Sequence, residues 1–164
     1  NTRTYSSGIL LENIPKNLSE KSVLDMGTGS GIIAIQSEIN GSKSILGIDI
    51  DHKAAKISFQ NALQNNCKHI STVSSDLFSN IQGGRYDYIF ANLPILDANF
   101  SELYLRLLNQ YENYITEIGE LYLAYASFGD IEMADKYFDK HPKLKEKISI
   151  QKLGVEWYLY KFTK

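Results

Sequence analysis

The stretch Val23-Leu24-Asp25-Met26-Gly27-Thr28-Gly29-Ser30-Gly31-Ile32 decides the fold. Val23 to Met26 reads as a short buried strand that runs into a glycine-dense turn and then a helix. Gly27, Gly29 and Gly31 stand at alternate positions, which neither a helix interior nor a strand interior favours. A strand, a Gly-rich turn and a helix N-terminus are the parts of a nucleotide site built on a βαβ unit. The spacing is G-x-G-x-G rather than the G-x-G-x-x-G of dinucleotide binders, so it does not point to NAD. Asp25 stands where a small residue is usual shortly before the first glycine. A tight turn that holds no ligand is the plain alternative.

Outward from this stretch, the chain repeats one pattern. A short helix from about Ser6 to Asn13 precedes it and stops before Pro15. A helix over Ser30 to Ile39 follows, with Ile32, Ile33, Ile35 and Ile39 expected to bury one face. The second strand, Ser44 to Ile50, is almost continuously apolar, as expected for a strand covered on both faces. Asp51 is the natural N-cap of a helix reaching about Asn65, whose apolar surface comes from Ala54, Ala55, Ile57, Phe59, Ala62 and Leu63. Strands are expected at Ile70 to Ser74 and Tyr86 to Ala91, with a turn at Gly83-Gly84. A long amphipathic helix over Ser101 to Ile115, a break at Gly119 and a strand over Glu120 to Ala126 come next. A helix over Asp130 to Lys140 and two closing strands, Lys147 to Lys152 and Val155 to Phe162, complete the chain. Repeated strand–helix units imply a doubly wound α/β fold, a parallel sheet with helices on both faces, and the closing hairpin reverses the last strand.

A length of 164 residues predicts one domain spanning 1–164. The chain begins with Asn1 rather than Met, which suits a piece of a longer protein whose N-terminal module would carry substrate recognition. The 43% hydrophobic and 22% charged content exclude a disordered chain. The net charge of −2 excludes a uniformly basic surface for nucleic acid. Lys140, Lys143, Lys145, Lys147, Lys152, Lys161 and Lys164 nevertheless cluster in sequence, either as a phosphate-facing patch or as a solvated face. Cys67 is the only cysteine, which suits a reducing, cytoplasmic setting. No signal peptide and no apolar run of membrane-spanning length is present in the sequence.

In such sheets the ligand lies beyond the C-terminal ends of the strands. Four successive strands end there in glycine or polar residues: Asp25 to Gly31, Asp49, Asp76, and Asn92 to Ile95. Asp49 lies 22 residues beyond Gly27, near the offset at which a carboxylate takes ribose hydroxyls. Asp49 or Asp51 as a mere helix cap is the alternative. Asp76 suits an adenine amino group with Leu77 and Phe78 beside the base, or else an Asx-turn. His52, His69 and His141 lie at unrelated places and are expected on the surface.

VLDMGTGSGI (23–32), GIDID (47–51), KAAKISFQNALQNN (53–66), SDLF (75–78) and YDYIFANLPI (86–95) together resemble successive motifs of the class I S-adenosylmethionine-dependent methyltransferases. The resemblance is to their small branch, which includes ribosomal-RNA guanine N2- and release-factor glutamine N5-methyltransferases. It implies a Rossmann-like seven-stranded sheet of order 3-2-1-4-5-7-6 and S-adenosylmethionine as cofactor, with no metal. Gly27, Gly29 and Gly31 would cradle the methionine and ribose portion, Asp49 the ribose hydroxyls, and Asp76 with Leu77 the adenine. The implied cofactor site also takes in Asp25, Thr28, Ile50 and Asn92. Asn92, Leu93 and Pro94 would form the transfer site. There the Asn92 side-chain oxygen and the Leu93 carbonyl accept bonds from a planar amino group and orient its nitrogen for in-line attack, without a general base. Leu93 and Ile95 depart from the proline and aromatic residue usual in that motif, and Ile95 offers no ring for stacking.

The implied activity is methyl transfer to a nitrogen of RNA or of a protein glutamine, with substrate over Asn92 and the segment Thr4 to Ser7. A domain that binds S-adenosylmethionine without transferring the methyl group is the competing reading, and Ile95 favours it. An NAD oxidoreductase on a similar sheet is a third, disfavoured by the glycine spacing.

Overall fold

A computed structural model describes residues 5–95 and 99–164. Thr4, expected near the substrate, lies outside the described residues. The elements follow as α1 (Tyr5–Asn13), β1 (Ser22–Met26), α2 (Ile32–Ile39), β2 (Ser44–Asp49), α3 (His52–Gln64), β3 (Ile70–Ser74), β4 (Tyr86–Ala91), α4 (Asn99–Gln110), β5 (Ile115–Ala126), α5 (Ile131–Tyr137), β6 (Leu144–Lys152) and β7 (Val155–Thr163). The sheet has seven strands in the order β3-β2-β1-β4-β5-β7-β6. β3, β2, β1, β4 and β5 are parallel, and β7 runs antiparallel to both β5 and β6. This is the expected Rossmann-like architecture. Among the described residues no helix is long and apolar enough to cross a membrane.

Adjacent strand residues point to opposite faces, so Tyr125 and Ala126 mark the two sides of the sheet. Trp157 pairs with Ala126 and receives Tyr5 of α1 edge-on at 5.6 Å. Tyr125 meets Tyr104 of α4 and Phe138, at the end of α5, at 5.0 and 5.3 Å. Helices therefore cover both faces. The core is continuous through the sheet, with Val23, Leu24, Ile89, Phe90, Leu121, Leu123, Leu159 and Phe162 all fully buried.

Four local expectations need correction. Ile32 and Ile39 are exposed, because the buried face of α2 is Ile33, Ala34 and Ser37. Ile57, Phe59 and Leu63 of α3 are exposed for the same reason: small residues, Ala55, Ser58 and Ala62, form its buried face. Helix α4 stops at Gln110, a 3-10 turn covers Tyr111–Asn113, and Ile115 already pairs with Tyr86 in the sheet. Gly119 is thus a bulge inside β5 rather than a break before it. The register shifts there, and a Cβ at Gly119 would lie 2.9 Å from the Tyr86 carbonyl oxygen. His141 is not a plain surface residue. Its ring packs edge-on against Phe162 at 5.1 Å, and burial pushes its pKa down.

The turn after β1 is anchored from beneath by a charged residue inside a strand. Asp25 is 1% exposed, and one of its oxygens accepts from the Thr28 hydroxyl (2.8 Å) and the Ala34 amide (3.1 Å). Burial pushes this carboxyl from the ordinary 3.8 up to about 7, the two hydrogen bonds pull it down, and the nearby Asp49 charge pushes it up again. Thr28 also meets Ser58 of α3 at 3.0 Å. Gly31, the N-cap of α2, has φ +83°, and a Cβ there would lie 2.5 Å from the Ser58 oxygen and 3.2 Å from its Cα. Gly31 therefore serves packing between α2 and α3 as well as the turn.

Gly31→Ala is expected to destabilise the fold by at least about 2 kcal/mol, from positive φ and the clash with Ser58 together, read as a lowered urea midpoint. Asp25 gives a second test. Folded Asp25 keeps its proton up to about pH 7, whereas the unfolded chain releases it near pH 3.8. Stability from this group therefore falls as pH rises between those values, by at most about 4 kcal/mol, and is level above them. Asp25→Asn removes that slope. The variant should gain on the wild type in urea midpoint between pH 4 and 7, and a constant difference would contradict the assignment.

Candidate functional site

A cleft of about 260 Å³ opens at the C-terminal ends of β1 to β4. Each of the four strands contributes to it: Met26 and Gly27, then Ile48, Asp49 and Ile50, then Ser75, Asp76 and Leu77, then Asn92, Leu93 and Pro94. Leu103 of α4 closes the side opposite. The expected rim is therefore assembled, and its polar groups lie among apolar walls.

Asp49 sits at the end of β2, and both its oxygens hold backbone. One accepts the Gly29 amide at 3.1 Å, the other the Asp51 amide at 3.0 Å. The first bond ties the glycine turn to the neighbouring strand. Each oxygen keeps lone-pair capacity for a further donor such as a ribose hydroxyl. Asp51 is the α3 cap, its side chain accepting from the Lys53 amide at 2.8 Å, so capping and cleft lining fall to different aspartates. Ile50 lines the cleft and is 73% exposed, an apolar side chain held in water beside a polar rim. Leu77 forms another wall from a left-handed backbone, φ +49°. Ser75 holds that strained turn: its hydroxyl donates to the Leu77 carbonyl at 2.7 Å and accepts the Asn80 amide at 3.0 Å.

Asp76 lines the cleft as expected, but Arg106 of α4 donates to one of its oxygens at 2.9 Å, leaving the other oxygen for a ligand. At the β4 end, Asn92 donates its backbone amide to the Met26 carbonyl (3.2 Å) and its side-chain amide to the Ser7 hydroxyl of α1 (2.8 Å). A Cβ on Gly27 would lie 3.0 Å from the Asn92 carbonyl oxygen, so only glycine lets the two loops approach this closely.

The remaining expected residues lie elsewhere. Asp25 and Thr28 are buried beneath the turn and engaged with each other, so they brace the site from behind. Gly29 and Gly31 are not among the residues lining the cleft. The Leu93 carbonyl, expected to be an open acceptor, already accepts the buried Tyr104 hydroxyl at 2.9 Å. Ile95 is 8% exposed and points inward, so near Gly129 that a Cβ there would lie 2.7 Å from it. Five of the seven clustered C-terminal lysines are engaged within the chain. Lys145, Lys147, Lys161 and Lys164 face Glu120, Asp139, Glu146 and Glu117, and Lys152 sits 3.9 Å over the Tyr5 ring. Ser7 belongs to the segment expected beside Asn92, and it meets the Asn92 side chain directly. Leu103, Tyr104 and Arg106 reach the site from α4, and sequence spacing carries no signal for them beyond the helical burial of Tyr104.

The residues suit an adenosyl ligand. Asp49 accepts hydroxyl donors, Asp76 accepts an amino group, and Ile50 and Leu77 offer apolar walls for a purine. The chain is similar in sequence and in fold to known proteins. A release factor glutamine methyltransferase of Fusobacterium nucleatum is 32% identical over 110 residues, 64% of this chain and 31% of that protein. A ribosomal protein L11 methyltransferase of Dictyoglomus thermophilum is 32% identical over 133 residues, 80% of this chain and 41% of that protein. The chain thus spans less than half the length of these relatives. The crystal structure of a ribosomal protein L11 methylase from Lactobacillus delbrueckii subsp. bulgaricus superposes with a TM-score of 0.75 at 22% identity, over 99% of this chain and 79% of that one, a likeness of fold. The model of the methyltransferase small domain family matches residues 4–151, and this chain belongs to that family.

Proposed function

We propose that this chain transfers a methyl group from S-adenosylmethionine to a nitrogen of a protein. The observation that carries the reading is the single cleft with Asp49, Ile50, Asp76 and Leu77 at one end and Asn92 at the other. When bound, S-adenosylmethionine supplies an electrophilic methyl group on a sulfonium. Asp49 takes the ribose hydroxyls, and the Asp76 oxygen left by Arg106 takes the adenine amino group. Asn92 accepts an N–H of the incoming nitrogen and so directs its lone pair at the methyl group. Orientation of this kind lowers the barrier without a general base. Transfer to the nitrogen would leave a neutral thioether behind, and the proton displaced from the nitrogen would pass to water.

A protein acceptor is favoured over RNA on two grounds. Both named relatives are methyltransferases of proteins, by their names. Four of the seven clustered lysines, Lys145, Lys147, Lys161 and Lys164, pair with carboxylates, and the net charge is −2. A cytoplasmic setting fits the single Cys67. Binding without transfer is the second reading, and the buried Ile95 together with the engaged Leu93 carbonyl favours it.

The test is to incubate the chain with methyl-labelled S-adenosylmethionine and cell extract, then digest with RNase or protease. Label released by protease and retained after RNase is expected; the reverse would make RNA the acceptor, and tight binding without label transfer would leave a binding domain. Asp49→Ala should weaken cofactor binding at least about tenfold by calorimetry, since a carboxylate accepting hydroxyl bonds is worth roughly 1.5–3 kcal/mol for each bond. Asn92→Ala should keep cofactor affinity within about twofold and lower turnover about a hundredfold.

A further inference from the structure

Asn92 is held from two sides by parts of the chain far from it in sequence. Its backbone amide bonds to Met26 at the end of β1, and its side-chain amide donates to the Ser7 hydroxyl at 2.8 Å, 85 residues away. Ser7 does not sit on a loose terminus. Ile9, Leu10 and Ile14, in and just after α1, are at most 2% exposed. The Tyr5 ring packs on Trp157 at 5.6 Å under the Lys152 ammonium. These contacts fix α1 against β5, β7 and α2, so the hydroxyl is presented from a rigid element.

A primary amide has two chemically opposite ends, an acceptor oxygen and a donor nitrogen. Ser7 engages one of the two N–H groups and so holds the nitrogen on its own side, which leaves the oxygen on the opposite side to meet a molecule in the cleft that Asn92 lines. An amide free to turn about its last torsion would offer either end. The fixed orientation selects an acceptor that carries an N–H and disfavours one that presents a carbonyl. The Leu93 carbonyl is already bonded to Tyr104, so the orientation of Asn92 matters more than it would beside a fully open second acceptor.

We infer that Ser7 is a positioning residue for methyl transfer, holding the Asn92 amide so that its oxygen faces the acceptor nitrogen. This rests on the transfer reading above. Two readouts separate the two. In the 15N-labelled chain, the Asn92 side-chain amide signals are identified by their loss in Asn92→Asp. One of its protons should exchange slowly with solvent in the wild type, about tenfold faster in Ser7→Ala, and as in the wild type in Ser7→Thr. Unchanged exchange in Ser7→Ala overturns the inference whatever the activity. In the extract assay with labelled S-adenosylmethionine, Ser7→Ala should lower kcat about tenfold with cofactor affinity kept within twofold, and Ser7→Thr should restore it. Added to Asn92→Ala, the same change should cost nothing further, because its effect passes through Asn92. A full additional loss in that background, or a wild-type rate for Ser7→Ala alone, overturns the inference. If the wild type itself transfers no label, the transfer reading fails and the role of Ser7 in it fails too, while the exchange data still report whether Ser7 fixes the amide.

Discussion

The bond from the Gly29 amide to the Asp49 carboxylate is the constraint on which the rest of the site depends. It joins the turn after β1 to the tip of β2, beyond the point where the Gly27 and Thr28 amides both donate to the Ile48 carbonyl. A turn of positive-φ glycines has little conformational preference of its own, since Gly27, Gly29 and Gly31 all occupy a region open to glycine and closed to most other residues. The carboxylate supplies the missing preference by accepting one turn amide. From below, Asp25 accepts the first amide direction of α2 at Ala34 and the Thr28 hydroxyl. One aspartate is half exposed and faces the cleft, and the other is buried. The same residue type thus does two jobs because of depth, and burial raises the pKa of Asp25 to about 7.

The sequence made the cofactor end of the cleft legible because that end is local. Each of its parts is the last residue of a strand or the first residues of the following turn, and strand ends are marked by abrupt changes from apolar to polar or glycine. β1, β2, β3 and β4 lie within a residue of where their apolar runs placed them. What failed was the inference from apolar content to burial. Ile32, Ile39, Ile57, Phe59 and Leu63 are exposed while Ala34, Ala55, Ser58 and Ala62 are buried. The two helices approach so closely at the start of α2, with no room for a Cβ at Gly31 against Ser58, that small side chains make up most of the buried faces, Ile33 being the one large exception. Gly119 misled for a related reason. A glycine required by the close approach of the Tyr86 carbonyl looks, in one dimension, the same as a glycine that ends an element.

The acceptor end was less legible because it is built from contacts of long sequence separation. Ser7 reaches Asn92 across 85 residues, and Arg106 reaches Asp76 across 30. The family resemblance placed the segment ending at Ser7 near Asn92, but neither the Ser7 bond nor Arg106 carries a spacing signal, since each depends on how a helix is laid over a strand end. The Leu93 carbonyl shows the same limit from the other direction. A backbone carbonyl looks open in any sequence, and only the placement of Tyr104 on α4 shows that it is engaged.

This division between ends has a chemical consequence. A cofactor that is the same for every member of a family can be held by strand ends and a turn, because those parts are fixed once the sheet has formed. An acceptor that differs between members must be met by groups that can change without disturbing the sheet. Helices α1 and α4 are such groups here, since they lie on opposite faces and bring Ser7 and Tyr104 to consecutive residues of one loop. Ile95, buried near Gly129 and Tyr125, belongs to the same arrangement. Its side chain fills the core beneath the loop rather than walling the cleft, so the acceptor end is shaped by hydrogen-bond direction more than by stacking. Under the proposed transfer, selection by direction favours a donor-bearing nitrogen of modest size over a large flat base, because residues 92–95 carry no aromatic ring for stacking.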